Sequence, residues 1–237
     1  MSSTFSSEFE RITSKITSGE NFTFARYADG ERSILMNMPI LNGTQAYDVD
    51  HWMYNNNTKF SAALAETCNH REKEYNHAIS CACCDKHGEL FYRNLFENHN
   101  ITFANLFINA NYKKFISFAE NLKRPVNIIA NKRALFSKYP FEVSHMYLVE
   151  DDCVNWFEAD YELITDQMRE MAENKQNELF FVAAGPLSEI LIHKMFSANK
   201  NNTYVDVGSS LDIYTHGRKT RPYQNPDSQY HSKECTF

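Results

Sequence analysis

The chain of 237 residues is long enough to bury a sizeable core, and its composition (43% hydrophobic, 14% aromatic, 23% charged) is globular rather than disordered or fibrous. Its net charge of −6 argues against binding of nucleic acid or anionic membranes, because phosphate backbones are bound by cationic side chains. With no signal peptide and no apolar run of about 18 residues, we expect a cytoplasmic protein without membrane insertion. The six cysteines are expected to be reduced thiols rather than a disulfide scaffold.

The first half of the chain alternates helix and strand patterns. Apolar residues at helical spacing predict a helix from Phe5 through Ile16, ended by Ser18 and Gly19. A strand over 21–27 is followed by a turn at 28–30 and a second helix carrying Ile34. Further expected elements are helices over 58–71, 90–98 and 112–122, and strands over 78–82 and near Leu106.

The second half repeats this alternation with wholly apolar strands. Strands are predicted over 125–130, 143–149, 179–184 and 204–207, with helices over 158–174 and from Pro186 through Phe196. Short apolar strands between helices indicate an α/β, Rossmann-like fold with a mostly parallel sheet and helices on both faces. We expect a single domain over 1–237 that ends in a basic tail, 214–237.

Two carboxylates follow the first strand, where loops of α/β sheets form the ligand crevice. Asp29 and Glu31, separated by Gly30, are suited to a hard divalent cation such as Mg²⁺ or Mn²⁺. The planar guanidinium of Arg26 is suited to phosphate oxygens. The alternative is an ordinary turn with a glutamate at a helix start.

Two later strand ends carry similar signals. Gly185, Pro186 and Ser188 begin a helix whose free amides favour an anion such as a diphosphate, although an ordinary strand–turn–helix has the same pattern. After the last strand, Gly208 and Ser209 permit a close approach to a ligand. Asp206 or Asp212 is suited to act as a base or as an outer ligand of a metal.

The run from Cys81 to His87 (CACCDKH) contains zinc-ligand residue types, but it lacks the usual second ligand pair far along the chain. We therefore expect thiols rather than a zinc site. The sequence contains no dinucleotide, P-loop or nucleophile-elbow motif.

The run R-Y-A-D-G-E at 26–31 resembles the R-[YF]-G-D-G-E signature of GT-D-type glycosyltransferases, a group first catalogued as a domain of unknown function. The segments Ala184-Gly185-Pro186 and Asp206-Val207-Gly208 are similar to segments in the same order in that family. The resemblance spans roughly 20–215, with Ala28 in place of the more usual glycine.

The resemblance implies a metal-dependent enzyme that moves a hexosyl or pentosyl group from a nucleoside-diphosphate donor, a UDP-sugar foremost, to a glycan or glycoconjugate. Such an activity belongs to polysaccharide or glycoprotein glycan biosynthesis. In the family the Asp-x-Glu motif binds the metal, and this role falls on Asp29 and Glu31, with Mn²⁺ or Mg²⁺. The oligomeric state is not indicated.

Glycosyl transfer from such a donor needs cations at the leaving diphosphate and, for an inverting reaction, a base for the acceptor hydroxyl. Asp212 and His216 are both candidates for the base. The basic side chains of Arg218, Lys219 and Arg221 are expected either to close over the diphosphate or to belong to a solvated tail.

Two other classes use the same residues. A Mg²⁺-dependent phosphohydrolase or nucleotidyltransferase would also need Asp29 and Glu31. A non-catalytic domain that binds nucleotide-sugars would need the same loops without a base.

Overall fold

A computed structural model describes residues 4–41 and 52–237, and its centre is one seven-stranded sheet whose neighbouring strands are all parallel. This confirms the α/β class expected from the sequence. In chain order the strands are β1 (Thr23–Tyr27), β2 (Tyr75–Ile79), β3 (Ile101–Phe103), β4 (Val126–Asn131), β5 (Val143–Val149), β6 (Leu179–Ala183) and β7 (Thr203–Asp206).

The spatial order of the strands is β3-β2-β1-β7-β6-β4-β5. From β1 the chain runs outward to β2 and β3, and it then builds the other half of the sheet, which ends with β7 beside β1. The direction of winding changes between β1 and β7. In open parallel sheets such a switch point leaves a crevice at the carboxyl ends of the strands.

Helices cover both faces of the sheet, as expected. They are α1 (Phe5–Ser18), α2 (Asp29–Leu35), α3 (Thr58–Thr67), α4 (Lys86–Leu95), α5 (Tyr112–Asn121), α6 (Cys153–Glu173), α7 (Ser188–Ala198) and α8 (Asp212–Thr215). None of the described helices has the length and apolar character needed to cross a membrane.

Alternate side chains of the strands pack into two separate hydrophobic cores, one on each face of the sheet. On β6, Phe180 packs in one core with α3, α6 and α7, and Phe181 packs in the other with α1 and α5. Each ring is essentially fully buried, which contributes roughly 1.5–3 kcal/mol relative to an exposed side chain. β6 therefore lacks a polar face, as its apolar run predicted, whereas the edge strand β5 exposes Ser144 and His145.

Some predicted boundaries are wrong. The strand expected over 78–82 is β2, which in the structure begins at Tyr75. The prediction missed this start because Asn76 and His77 are polar, although both are buried. The Asn76 amide donates to the carbonyl of Thr23 at 2.8 Å, so it completes hydrogen bonds within the sheet. The strand expected near Leu106 is β3, which ends at Phe103.

His77 lies in the middle of β2 among aromatic rings. It is fully buried, with ring centroids 4.3 Å from Phe96, 4.6 Å from His99 and 4.8 Å from Tyr75. Neither ring nitrogen has a hydrogen-bond partner among the described residues. Burial lowers the pKa of His77 to about 2, because the charged imidazolium would lose its hydration.

This burial predicts a loss of stability in acid. Below pH 6.5 the unfolded chain binds a proton at His77, whereas the folded chain does not. The free energy of unfolding therefore falls by up to about 1.4 kcal/mol for each unit by which the pH is lowered. We expect His77→Phe to reduce this fall between pH 6.5 and 4, measured by urea denaturation. The matched control is His145→Gln, on an exposed position of β5. Equal pH slopes in wild type and His77→Phe would contradict the prediction.

Candidate functional site

A cavity of about 550 Å³ lies at the carboxyl ends of β1, β4, β5, β6 and β7, at the switch point of the sheet. Its polar walls come from the loops that follow these strands. Among its described lining residues are six carboxylates, two arginines and one histidine: Asp29, Glu31, Glu150, Asp151, Asp206, Asp212, Arg26, Arg221 and His216.

Arg26 is the residue before the last of β1, and its guanidinium is largely buried, with Nη1 3.9 Å from Asp206 Oδ1. Burial by itself would lower the pKa of Arg26, but the surrounding carboxylates, Asp206 foremost, raise it. Its Nε is buried and has no partner among the described residues. A ligand oxygen in the cavity would satisfy a guanidinium held in this way.

Glu189 lies directly behind Arg26 and was not predicted. It is fully buried on α7, and its Oε1 accepts a hydrogen bond from the Arg26 amide at 3.2 Å. Burial, followed by the negative charge of Asp206, raises the pKa of Glu189 well above its ordinary value. Its sequence signal is a carboxylate at the start of an otherwise apolar helix, Ser-Glu-Ile-Leu-Ile.

Asp29 and Glu31 lie in the first turn of α2 and line the cavity. Glu31 Oε2 accepts from the backbone amide of Ala28 at 2.7 Å, which caps the helix. Burial raises the pKa of Glu31 to about 7. Asp29 is exposed to the cavity, and its carboxylate has no hydrogen bond or ion pair with the described residues.

The loop after β6 forms the opposite wall. Gly185 and Pro186 line the cavity, whereas Ser188 is buried beneath it and its hydroxyl accepts from the amide of Ala184 at 2.9 Å. Trp52, which sequence reasoning missed, lies over this loop: a Cβ added at Gly185 would be 3.3 Å from the indole Nε1. The same ring lies 3.2 Å from a Cβ built at Gly30. Trp52 therefore spans the two loops that approach the ligand space.

Asp212 and His216 line the wall that follows β7, on either end of the short helix α8. Between their side chains, Asp212 Oδ1 and His216 Nε2 are 3.9 Å apart. The hydroxyl of Thr220 donates to Asp212 Oδ2. Both candidate bases are thus in one corner of the cavity.

The basic tail divides into two parts. Arg221 lines the cavity, while Arg218 and Lys219 are exposed and are not among its lining residues. The segment that follows packs on the β7 loop, where Tyr223 and Ser209 share a hydrogen bond of 2.7 Å between their hydroxyls. A further tie runs from the Gln224 amide to the carbonyl of Ser209 at 3.2 Å. The tail is therefore folded against the site rather than solvated along its whole length.

Polar residues after β4 and β5 were also missed, although these strands were predicted and their ends could have been searched. Asn131 donates from its amide to Asp151 at 2.8 Å, and Arg133 pairs with the same carboxylate at 2.8 Å. Glu150 pairs with Lys132 at 2.6 Å. Because Glu150 and Asp151 are already paired with cationic side chains that follow β4, Asp29 and Glu31 across the cavity are better placed to take a cation.

Neither a family model nor a curated protein sequence matches this chain, but solved structures do. A domain of unknown function 1792, described as having a distinct glycosyltransferase fold, aligns over 97% of this chain and 90% of its own at 12% identity and a TM-score of 0.53. A selenomethionine-substituted structure of domain of unknown function 1792 aligns over 88% and 80% at 12% identity, TM-score 0.52. A third, described as a new glycosyltransferase from Streptococcus sanguinis, aligns over 94% and 90% at 12% identity, TM-score 0.56.

This chain therefore has the fold of these glycosyltransferase structures, which is the fold implied by the R-Y-A-D-G-E resemblance. The likeness extends over nearly the whole chain. At 12% identity it establishes the fold, and the chemistry has to be argued from the cavity itself.

The position of Arg26 gives a test of this site. Gly208 has a φ of +49°, and a Cβ there would lie 1.5 Å from Nη1 of Arg26, whereas Gly217 has a φ of +64° and nothing within 4 Å of an added Cβ. Both Gly→Ala changes carry a left-handed strain of about 1–2 kcal/mol. We expect Gly208→Ala to lose clearly more unfolding free energy than Gly217→Ala in urea denaturation, because it also displaces a buried charge. Equal losses of unfolding free energy in the two variants would contradict the prediction, because Arg26 would then move aside without cost.

Proposed function

We propose that the protein is a metal-dependent glycosyltransferase that moves a hexosyl or pentosyl group from a nucleoside-diphosphate sugar, a UDP-sugar foremost, to a glycan or glycoconjugate. The observation that carries the proposal is the switch-point cavity, where Asp29, Glu31, Arg26 and the Gly185 loop face the same space. The similar glycosyltransferase fold supports it.

The charge of the cavity supports metal dependence. Its described lining has more carboxylates than cationic side chains, so a diphosphate would be repelled unless a divalent cation accompanied it. Carboxylate oxygens are the ligands that Mg²⁺ and Mn²⁺ prefer. The unpaired carboxylate of Asp29 and the half-engaged carboxylate of Glu31 fit this need.

In this proposal Asp29 and Glu31 would hold Mn²⁺ or Mg²⁺, which would supply positive charge beside the leaving diphosphate. The guanidinium groups of Arg26 and Arg221 bind the phosphate oxygens from the same cavity. Trp52 covers the cavity between the two glycine loops, where an aromatic ring suits the base or the sugar of the donor.

We assign the base to Asp212, because Thr220 holds its carboxylate in place at the cavity wall. His216 Nε2, 3.9 Å from Asp212 Oδ1, would stabilise the negative charge of that carboxylate when the imidazole is protonated. Asp212 would accept the proton of the acceptor hydroxyl as that oxygen attacks the anomeric carbon.

The donor assay tests the reaction class. The protein is incubated with Mn²⁺ and a panel of UDP-, GDP- and CMP-sugars, and slow hydrolysis is followed. Free sugar together with the nucleoside diphosphate (or with CMP, for a CMP-sugar) is the result expected for a transferase. Sugar phosphate or inorganic phosphate would instead indicate a phosphohydrolase or nucleotidyltransferase, and binding without turnover would indicate a non-catalytic domain.

The metal site is tested by Asp29→Asn, which keeps the size of the side chain and removes its charge. We expect its affinity for UDP in the presence of Mn²⁺, measured by calorimetry, to fall at least about tenfold, or about 1.4 kcal/mol. Asp166→Asn, at an exposed position of α6, is the control and should bind as wild type does. Unchanged, still Mn²⁺-dependent binding in Asp29→Asn would refute the assignment.

The base is tested by Asp212→Asn and His216→Gln. We expect Asp212→Asn to lower kcat by about 10²–10⁴ with little change in donor KM, since a base acts on the acceptor and not on donor binding. His216→Gln should keep more activity and shift the pH profile. A larger loss of kcat in His216→Gln than in Asp212→Asn would reverse the two roles.

A further inference from the structure

Four cysteine side chains that are not among the lining residues of the cavity meet after β2. Cys81, Cys83 and Cys84 follow β2, and Cys235 comes from the C-terminal segment, 151 positions after Cys84. Their four sulfur atoms all lie within 4.8 Å of one another. His87, which the sequence placed near this group, is not a member of the cluster.

The spacing of the sulfur atoms matches a tetrahedral metal site. Three sulfur pairs are 3.5 Å (Cys81–Cys83), 3.8 Å (Cys83–Cys84) and 4.0 Å (Cys84–Cys235) apart. Four thiolates bound to zinc at about 2.3 Å stand about 3.8 Å from one another. A disulfide would use two of the sulfurs and leave the proximity of the other two unexplained.

We propose that Cys81, Cys83, Cys84 and Cys235 bind one Zn²⁺ ion as a structural Cys₄ site. Sulfur ligands favour zinc over Mg²⁺ or Mn²⁺, so this site is separate from the oxygen-lined cavity in both position and metal preference. A cluster of several iron atoms needs cysteines that reach different irons, and this tight grouping does not provide that spacing.

The local backbone presents the ligands. The amides of Cys84 and Asp85 both donate to the carbonyl of Cys81, at 3.0 and 2.9 Å, which closes a tight turn. Cys81 and Cys84 thereby have the C-x-x-C spacing of zinc sites, with Cys83 between them. The sequence prediction of ordinary thiols was made without the fourth ligand, which tertiary folding supplies.

The surroundings of the sulfurs suit thiolates. The Asn109 amide donates to Cys235 at 3.5 Å and to Cys84 at 3.9 Å, and the Asn105 amide donates to Cys81 at 3.8 Å. The ammonium of Lys233 lies at the same place, donating to the carbonyl of Cys83 at 2.8 Å. Four thiolates and one Zn²⁺ carry a net charge of −2, which these donors and this cation would offset.

The site would fasten the C-terminal segment to the body of the protein. Between the cavity and Cys235 that segment contributes Arg221 to the cavity wall and Tyr223 to the bond with Ser209. A metal bound to Cys235 would restrict the conformations open to this segment. The binding free energy of a structural zinc would then stabilise the folded position of the segment. The proposal does not depend on the glycosyltransferase assignment.

The first test is the metal content of the full chain, grown with added zinc and purified without chelators. Inductively coupled plasma mass spectrometry should find about one zinc ion per chain. Replacement with Co²⁺ should give the intense visible and near-ultraviolet absorption of tetrahedral thiolate coordination. Less than about a tenth of a zinc per chain, a single iron instead of zinc, or a disulfide among these cysteines found by peptide mapping would each overturn the proposal.

Variants test the ligands. Cys235→Ser and Cys83→Ser should lose most of the bound zinc, and Cys83 is exposed, so its substitution is compatible with folding. Cys68→Ser, at a buried thiol of the hydrophobic core, is the control and should keep its zinc. Stripping zinc from the wild type should lower Tm by at least about 5 °C. Equal zinc loss in Cys68→Ser, or full zinc in Cys83→Ser and Cys235→Ser, would refute the site.

Discussion

The structure around the cavity depends on the burial of one guanidinium. Arg26 cannot lose its proton, and a buried charge is costly unless it is paired. Asp206 supplies the negative charge from β7, and Glu189 supplies a carboxyl oxygen from α7 that accepts a hydrogen bond from the backbone amide of Arg26. The three side chains thus join β1, β7 and α7 where the sheet changes direction.

The register of β1 and β7 explains why this happens there. Their ladder pairs Thr23 with Tyr204 and Phe24 with Val205. Arg26 and Asp206 lie beyond the paired residues, where the two strands no longer share hydrogen bonds. The cavity opens at this point, and the ion pair between Arg26 and Asp206 connects the ends of β1 and β7, which have no hydrogen bonds of the ladder between them. Gly208 contributes by having no side chain where the guanidinium lies, and its amide donates to Asp206 at 2.7 Å.

The C-terminal segment links two regions that differ in chemistry. At one end it completes the oxygen-rich cavity, and at the other its cysteine meets the turn after β2. Carboxylates and thiolates select different metals, so the hard cation proposed for the cavity and the zinc proposed for the cysteines would not compete for the same ligands. The stacking of Phe237 on Phe103, with ring centroids 4.1 Å apart, adds an apolar contact at the end of the chain.

What the sequence alone determined is the local part of this structure. The strand over 179–183 was predictable because its residues are apolar on both faces, and α1 because its apolar residues recur at helical spacing and Gly19 ends it. Residues in the loops that follow the strands, Asp29 and Glu31 among them, could be identified once the strands were predicted, because the loop after a parallel strand faces the crevice. Where polar residues are buried inside a strand, as Asn76 and His77 are, the pattern fails.

Only the tertiary structure decided which of these groups meet. The order of the strands puts β7 beside β1, and this brings Asp206 and Glu189 to Arg26. The same non-local packing brings Cys235 to Cys84 across 151 positions and Trp52 over Gly185. Hydrophobic periodicity reports which face of an element is buried, but it carries no information about the partner it is buried against. The pairing of distant strands and the docking of the C-terminal segment therefore had to be seen in the fold.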